Sequence, residues 1–213
     1  MSDLDFFFDP VCPWAWITSR WVTEVQGLRN YDVQWRFISL RFLNEDKMDY
    51  SAMPAGYKDV HAAGTMGLRV AAHARATEGN DAVVAVYTAL GMSFHNRQER
   101  DAMVANPAGH VASLLTSAGL PSEWSTHVDN DAHDALIRGE TELALERTGK
   151  DVGTPILTFH PGHKNEASFF GPVISTIPRG DEAVRLWDAI ETIATSSGMA
   201  ELKRSLRARP SFD

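Results

Sequence analysis

Apolar and polar positions along this chain change period in a defined order. Leu4-Asp5-Phe6-Phe7-Phe8 is a short, aromatic-rich apolar run stopped by Asp9-Pro10, which predicts a buried strand. Pro13 suits the first position of a helix. Beyond it Ile17, Trp21, Val25 and Leu28 recur at spacings of four, four and three, so one face of a helix runs to Arg29 and Asn30 closes it. Within Tyr31 to Ile38, Val33, Trp35 and Phe37 alternate with polar residues, the period of a half-buried strand. Strand, helix and strand so closely spaced predict a βαβ unit with a right-handed crossover, and open α/β sheets place their sites at the carboxyl ends of the strands.

From Ala52 to Arg147 strand signals vanish and apolar residues recur at helical spacing. Val111, Leu114, Leu115 and Ala118 form one face, and Ala132, Leu136 and Leu143 another. Gly79-Asn80, Asn106-Pro107 and Gly119-Leu120-Pro121 punctuate the stretch as turns, giving four or five helices. Strand character resumes over 152–159, with Pro155 at a position proline rarely takes in a buried strand. A turn at 161–165 leads to Ala167-Ser168-Phe169-Phe170 as an antiparallel partner, ended by Gly171-Pro172. Arg179-Gly180-Asp181 opens a helix carrying Ala183, Val184, Trp187, Ile190 and Ala194 on one face, and a shorter helical tail is expected from Met199 toward Arg207. The fold class is therefore α/β. Residues 1–51 and 148–213 read as the core, and 52–147 as a helical insertion.

Composition narrows the function classes. With 44% hydrophobic and 23% charged residues, 213 residues make an ordinary globular chain with room for a core and a sizeable insertion. A net charge of -8 argues against binding a phosphate backbone, so no nucleic-acid partner is expected. The first residues lack a basic segment followed by an apolar one, and no apolar run is long enough to span a bilayer. A cytoplasmic protein with no membrane partner is the expectation. The single cysteine, Cys12, fits a reducing compartment.

Cys12 carries the chemistry. It lies between the first strand and the Pro13 helix, at the N-cap, where free backbone N–H groups and the positive end of the helix dipole face the sulfur. Both favour thiolate, and cysteines so placed fall to a pKa of about 3.5–7.5. A reactive thiolate near neutral pH is therefore expected; the competing reading is a buried, inert cysteine. Cys-x-x-Cys is the redox motif of such a site, yet position 15 is alanine. A single thiol attacks a disulfide or holds a mixed disulfide but closes no internal one. Either this is a monothiol enzyme whose intermediate an outside thiol resolves, or Ala15 replaces a resolving cysteine.

Other residues carry two readings each. Trp14 sits at the helix start, able to stack on a ligand or to pack, while Trp16 and Trp21 read as packing residues for the insertion. His95-Asn96 ends a helix, and a histidine there would stabilise a thiolate or simply be solvated. His160 and His163 bracket a turn without further ligands at metal-binding spacing and read as surface residues, so no metal is expected. Asp129-Asn130-Asp131 reads as a solvated helix start. No glycine-rich phosphate loop supports a tightly bound flavin or nicotinamide.

The order of elements, with Phe8-Asp9-Pro10-Val11-Cys12-Pro13-Trp14 and Asp151-Val152-Gly153-Thr154-Pro155, resembles the thioredoxin fold with the large α-helical insertion of the DsbA family. Phe169-Phe170-Gly171-Pro172 and Ile177-Pro178-Arg179-Gly180 are similar to actinobacterial members near the FrnE-like branch, which include mycothiol-dependent reductases and nitroreductases. Those relatives carry Cys-Pro-Trp-Cys, so Ala15 is the departure. The resemblance implies a cis Pro155 facing Cys12, with Thr154 docking the partner. It also implies that Asn44 and Tyr57 line the substrate side of the cleft, although chemistry alone reads each as a cap or half-buried surface residue; Pro13, Trp14 and His95 join the expected substrate-binding set from their own placement at or near the helix start. The activity implied is thiol–disulfide oxidoreduction with mycothiol or a similar low-molecular-weight thiol as co-substrate. The substrate would be a disulfide or a nitro-aromatic compound, with a mycoredoxin-like protein among the implied partners. Two alternatives stand beside it. One is a thiol-cofactor-dependent isomerase or transferase of the chromene-carboxylate isomerase or kappa class; the other is a redox-inactive, peptide-binding adaptor.

Overall fold

The computed structural model describes residues 2–213. Four strands form one sheet in the order β2-β1-β3-β4: β1 (Leu4–Phe8), β2 (Val33–Phe37), β3 (Ile156–Phe159) and β4 (Ala167–Phe170). β1 pairs parallel with β2, from Leu4 opposite Val33 to Phe8 opposite Phe37, and antiparallel with β3; β3 pairs antiparallel with β4. The parallel pair needs a crossover, which α1 (Pro13–Leu28) supplies. β3 starts only after Pro155, whose ring nitrogen has no hydrogen to give a ladder.

All five β1 positions are buried, so both faces of the sheet are covered. Phe6 and Phe8 point to one side, where Phe8 stacks on Tyr87 at 3.9 Å between ring centroids. Phe7 points to the other and packs with Ile38, Ala144 and Ile156. Between β2 and β3 every regular element is helical: α2 (Leu40–Asn44), α3 (Tyr57–Glu78), α4 (Asn80–Gly91), α5 (Arg100–Ala105), α6 (Pro107–Ser117) and α7 (Asp134–Thr148), with short 3-10 turns and a π-turn, Met92–Asn96. After β4, α8 (Gly180–Thr195) returns against α1.

Four expectations are corrected. Residues 199–213 form no helix: Leu202 and Leu206 are 75% and 88% exposed, so a helix there would have no apolar face to bury. Leu28 is exposed at the fraying end of α1, which Arg29 rather than Asn30 caps. Trp21 packs on α8, its ring 5.3 Å from that of Trp187 and its Nε1–H donating to the Ala183 carbonyl at 2.9 Å, whereas Trp16 does meet the insertion. The buried face of α7 is Ile137, Glu140, Thr141 and Ala144, and Leu136 faces solvent. Glu140 turns the helix that way. Its carboxylate pairs with Arg36 and Arg75, each at 3.1 Å, and accepts the Phe37 N–H at 2.8 Å.

Candidate active site

Cys12 caps α1 from the carboxyl end of β1. Its backbone is extended (φ -79°, ψ 114°), Pro13 opens the helix, and Sγ accepts the Ala15 N–H at 3.5 Å. The thiol in turn donates to the Thr154 carbonyl, 3.3 Å away. Thr154 is fixed from behind, its hydroxyl donating to the Phe7 carbonyl at 3.0 Å, and the Thr154–Pro155 peptide is cis. Two loops far apart in sequence thus meet at one sulfur.

Asp9 fixes the loop that carries Cys12. One carboxyl oxygen accepts the Val11 N–H at 3.0 Å and the other the Leu40 N–H at 2.8 Å, joining the β1–α1 and β2–α2 loops. The group is fully buried, and burial pushes its pKa up to about 7 against the lowering effect of those two donors. α3 crosses directly above it. A Cβ on Gly64 would stand 2.3 Å from Asp9 Oδ1, so only glycine lets the helix come this close.

The expected thiolate is not what this environment favours. Cys12 is 6% exposed, and burial, followed by the nearby Asp9 charge, pushes the thiol up to about 12. The N–H groups of Ala15 and Trp14 pull the other way and lose. The helix start supplies donors, but the low-dielectric surroundings cost a thiolate more than those donors return. In this setting Cys12 is a neutral thiol, the form able to donate to the Thr154 carbonyl.

His95 is also corrected. It is buried, its Nε2–H donates to the Pro10 carbonyl at 2.8 Å, and burial lowers its pKa to about 4. A neutral imidazole brings no positive charge to the sulfur; it anchors the backbone two residues before Cys12. The ring stacks near Trp16 and meets Phe212, whose carbonyl accepts from Asn96 Nδ2 at 2.8 Å. Ser211 N–H donates to the Ser175 carbonyl at 2.8 Å. The extended C-terminal segment therefore joins this side of the molecule, which the helical reading of residues 199–207 hid.

Of the remaining candidates, Pro13, Trp14 and Ala15 adjoin Cys12 on α1, whereas Asn44 and Tyr57 are engaged elsewhere. Pro13 and Trp14 begin α1 and are half-buried, and Ala15 is fully buried in the first turn. Asn44 is occupied at the end of α2, its Nδ2 donating to the Leu40 carbonyl at 2.8 Å. Tyr57 begins α3, its ring 4.6 Å from that of His61, and lines a cleft of about 400 Å³ with Val60, Arg100 and Val104. That cleft is not lined by Cys12. Asp9, Gly64 and the anchoring role of His95 escaped the sequence reading, because nothing local distinguishes a buried aspartate from the turn residue that Asp-Pro suggests. Among the described residues no helix is long and apolar enough to cross a membrane.

A family model described as Rv2466c-like, mycothiol-dependent nitroreductase Rv2466c, matches residues 11–204. An uncharacterized protein of Mycobacterium tuberculosis, Rv2286c, is 28% identical over 214 residues, spanning 96% of this chain and 82% of its own length. The cytosolic disulfide reductase DsbM of Pseudomonas aeruginosa superposes with a TM-score of 0.57 at 14% identity, covering 89% of this chain and 98% of its own. A probable DsbA oxidoreductase of Streptomyces coelicolor, SCO1869, gives a TM-score of 0.57 at 16% identity over 96% and 94% of the two chains. At such identities these structures establish the fold, a DsbA-like thioredoxin fold with a helical insertion.

Proposed function

The chain belongs to the Rv2466c-like family of mycothiol-dependent nitroreductases, and from that premise we propose that it is a monothiol oxidoreductase in which Cys12 is the nucleophile and a low-molecular-weight thiol resolves the intermediate. The observation that carries this reading is the position of Cys12 Sγ, on the free N–H of Ala15 and against the Thr154 carbonyl. The attacking form is a thiolate, which the buried resting state disfavours. The proton therefore leaves as the substrate docks. Entry of a substrate at the Thr154–Pro155 edge replaces the thiol's hydrogen bond to Thr154 and leaves the Ala15 and Trp14 N–H groups as the partners of the charge. Asp9, near neutrality, matches the thiol in that proton balance, since protonation of its carboxyl removes the negative charge that opposes thiolate formation.

The step balances with one protein thiol. The Cys12 thiolate attacks a disulfide RS–SR′, forming Cys12–S–SR and releasing R′S⁻, which takes up the proton. A second thiol then attacks the mixed disulfide on the sulfur of R, restores the Cys12 thiol and leaves as the oxidised pair. For a nitro-aromatic substrate, each two-electron reduction would consume one Cys12 thiol and one external thiol, joined as the mixed disulfide. Ala15 makes the outside thiol obligatory, whether alanine is the native residue or stands for a resolving cysteine. Mycothiol is the thiol that the family description supports, and a single unpaired cysteine suits a reducing cytoplasm.

In the isomerase or transferase reading, the helix start activates a bound thiol rather than a protein sulfur. Here the protein's own sulfur occupies that N-cap, which favours the covalent route. The test is turnover of a mycothiol–disulfide substrate with mycothiol in excess, monitored by a coupled disulfide reductase. Turnover that disappears in Cys12→Ser and requires the free thiol supports the proposal. Thiol-dependent turnover that survives in Cys12→Ser would favour the bound-thiol reading.

A further inference from the structure

Away from Cys12, three of the chain's eight histidines meet on the helical segment. His73 lies on α3, His127 in the 3-10 turn Ser122–Asp129, and His133 at the end of the next, Asp131–His133. One nitrogen from each lies within 4.8 Å of the other two. The rings of His73 and His127 are face to face at 3.6 Å, and His133 stands 5.9 and 5.5 Å from them. All three are half-buried.

The framework holds this arrangement from behind. Arg69, one turn before His73 on the same helix, donates through Nη1 to the Val128 carbonyl at 3.2 Å. Its Nε and Nη2 make a two-bond pair with Asp134 at 2.7 and 2.8 Å. One guanidinium therefore fixes the residue after His127 and the residue after His133 relative to His73. Trp124, 4% exposed, closes one side with its edge toward His73. Among the described residues no carboxylate pairs with any of the three rings: Asp134, next to His133, is held by Arg69, and His127 Nδ1 faces Asn130 Nδ2 at 3.3 Å.

We propose that His73, His127 and His133 bind a divalent transition metal ion of the zinc class, which ties the 120–133 segment to α3. Three neutral imidazoles suit zinc, cobalt, nickel or copper and not the oxygen-seeking calcium or magnesium. A tetrahedral ion with Zn–N bonds of about 2.0–2.1 Å spaces its ligand atoms roughly 3.4 Å apart, so small side-chain rotations close the cluster onto it. The fourth position is left to water or an outside ligand, as in three-histidine zinc sites. On a rise of 1.5 Å per residue, the nine residues from Gly64 to His73 put the site about 14 Å along α3 from the helix turn above Asp9.

Zn²⁺ and Co²⁺ are the probes, used on the full chain as Cys12→Ser so that no thiolate competes. One equivalent of Zn²⁺ by calorimetry, visible Co²⁺ bands of a nitrogen-ligated tetrahedral ion, and a rise of several degrees in Tm at about a hundredfold excess over Kd are expected. Alanine at 73, 127 or 133 should each weaken binding at least about tenfold, the cost of losing even an outer-sphere partner, while His163→Ala changes nothing. Saturable binding that persists in the triple alanine variant, or no binding by the parent chain, overturns the proposal. Should the triple variant fail to fold, Co²⁺ broadening of NMR signals in the parent decides. Broadening confined to 69–77 and 122–138 supports the site; broadening centred elsewhere overturns it.

Discussion

The Cys12 thiol gives its hydrogen to the Thr154 carbonyl at 3.3 Å while the same sulfur accepts the Ala15 N–H at 3.5 Å. One sulfur thus bridges the helix start and the cis-proline loop, residues 142 positions apart. A carbonyl accepts from a thiol and repels a thiolate, so the contact and the raised pKa describe the same protonated resting state.

That state has a kinetic signature. Alkylation of the folded chain by iodoacetamide should accelerate roughly tenfold per pH unit between about pH 8 and 9 without a plateau, because burial pushes the thiol up to about 12, with a shallower rise near pH 7 where Asp9 ionises. A plateau reached below the ordinary cysteine value of about 8.5 would contradict the buried-thiol description.

Asp9→Asn should raise the reactivity of Cys12 at pH 8, since the Asp9 charge is one of the effects holding the thiol up. The variant also gives a stability readout. The folded carboxyl titrates at about 7, above its ordinary 3.8, so the stability it contributes is complete below the lower value and is lost as pH rises through about 7. Chemical denaturation between pH 4 and 8 should therefore show a smaller fall for Asp9→Asn than for the parent. Asparagine leaves one of the two backbone donors facing an amide N–H, at a pH-independent cost of about 1–3 kcal/mol.

His95→Ala should lower the rate of mixed-disulfide formation by loosening the Pro10 carbonyl, with no new titration between pH 5 and 8. A parent rate profile that breaks near pH 6.5, and loses the break in this variant, would show a titrating histidine instead.

Glu140→Ala should cost about 3–5 kcal/mol, the usual penalty when one partner of a buried ion pair is removed. Arg36, Arg75 and the Phe37 N–H would all lose their shared acceptor. A loss under 1 kcal/mol in urea denaturation would mean that water replaces the carboxylate there.

These residues also show where the sequence was informative. The Cys12–Pro13 helix start depends on neighbours in the chain, so local rules found it, as they found β1 by its apolar run, β2 by alternation, and β3 and β4 on either side of a turn. Thr154 came to Cys12 only through resemblance, since no periodicity links positions so distant. The protonation of Cys12 is not legible in the sequence because burial is a tertiary quantity: removal of the sulfur from solvent is the largest cause of its raised pKa, and the Asp9 charge adds to it. The buried face of α7 is hidden from the sequence for a related reason: Glu140 lies inside because Arg36 and Arg75, from other elements, hold its carboxylate there. The His73, His127 and His133 cluster is likewise invisible until three elements fold together.

Ala15→Cys should convert the monothiol to a dithiol. Positions 12 and 15 face each other within one helical turn, and an internal disulfide would appear on oxidation as a loss of two hydrogens in intact mass. Because position 15 is fully buried, the added sulfur should also reduce stability, by about 1–3 kcal/mol for an overpacked site. Failure to form the bond under oxidising conditions would remove the dithiol relatives as a guide to this site.

The monothiol mechanism itself is tested most directly by intact mass spectrometry of the native chain after exposure to mycothiol disulfide. One adduct of half the disulfide's mass is expected, located at Cys12, stable in the absence of free thiol, removed by added mycothiol and absent from Cys12→Ser. A folded chain that takes up no adduct, or one whose adduct mycothiol fails to release, would contradict it.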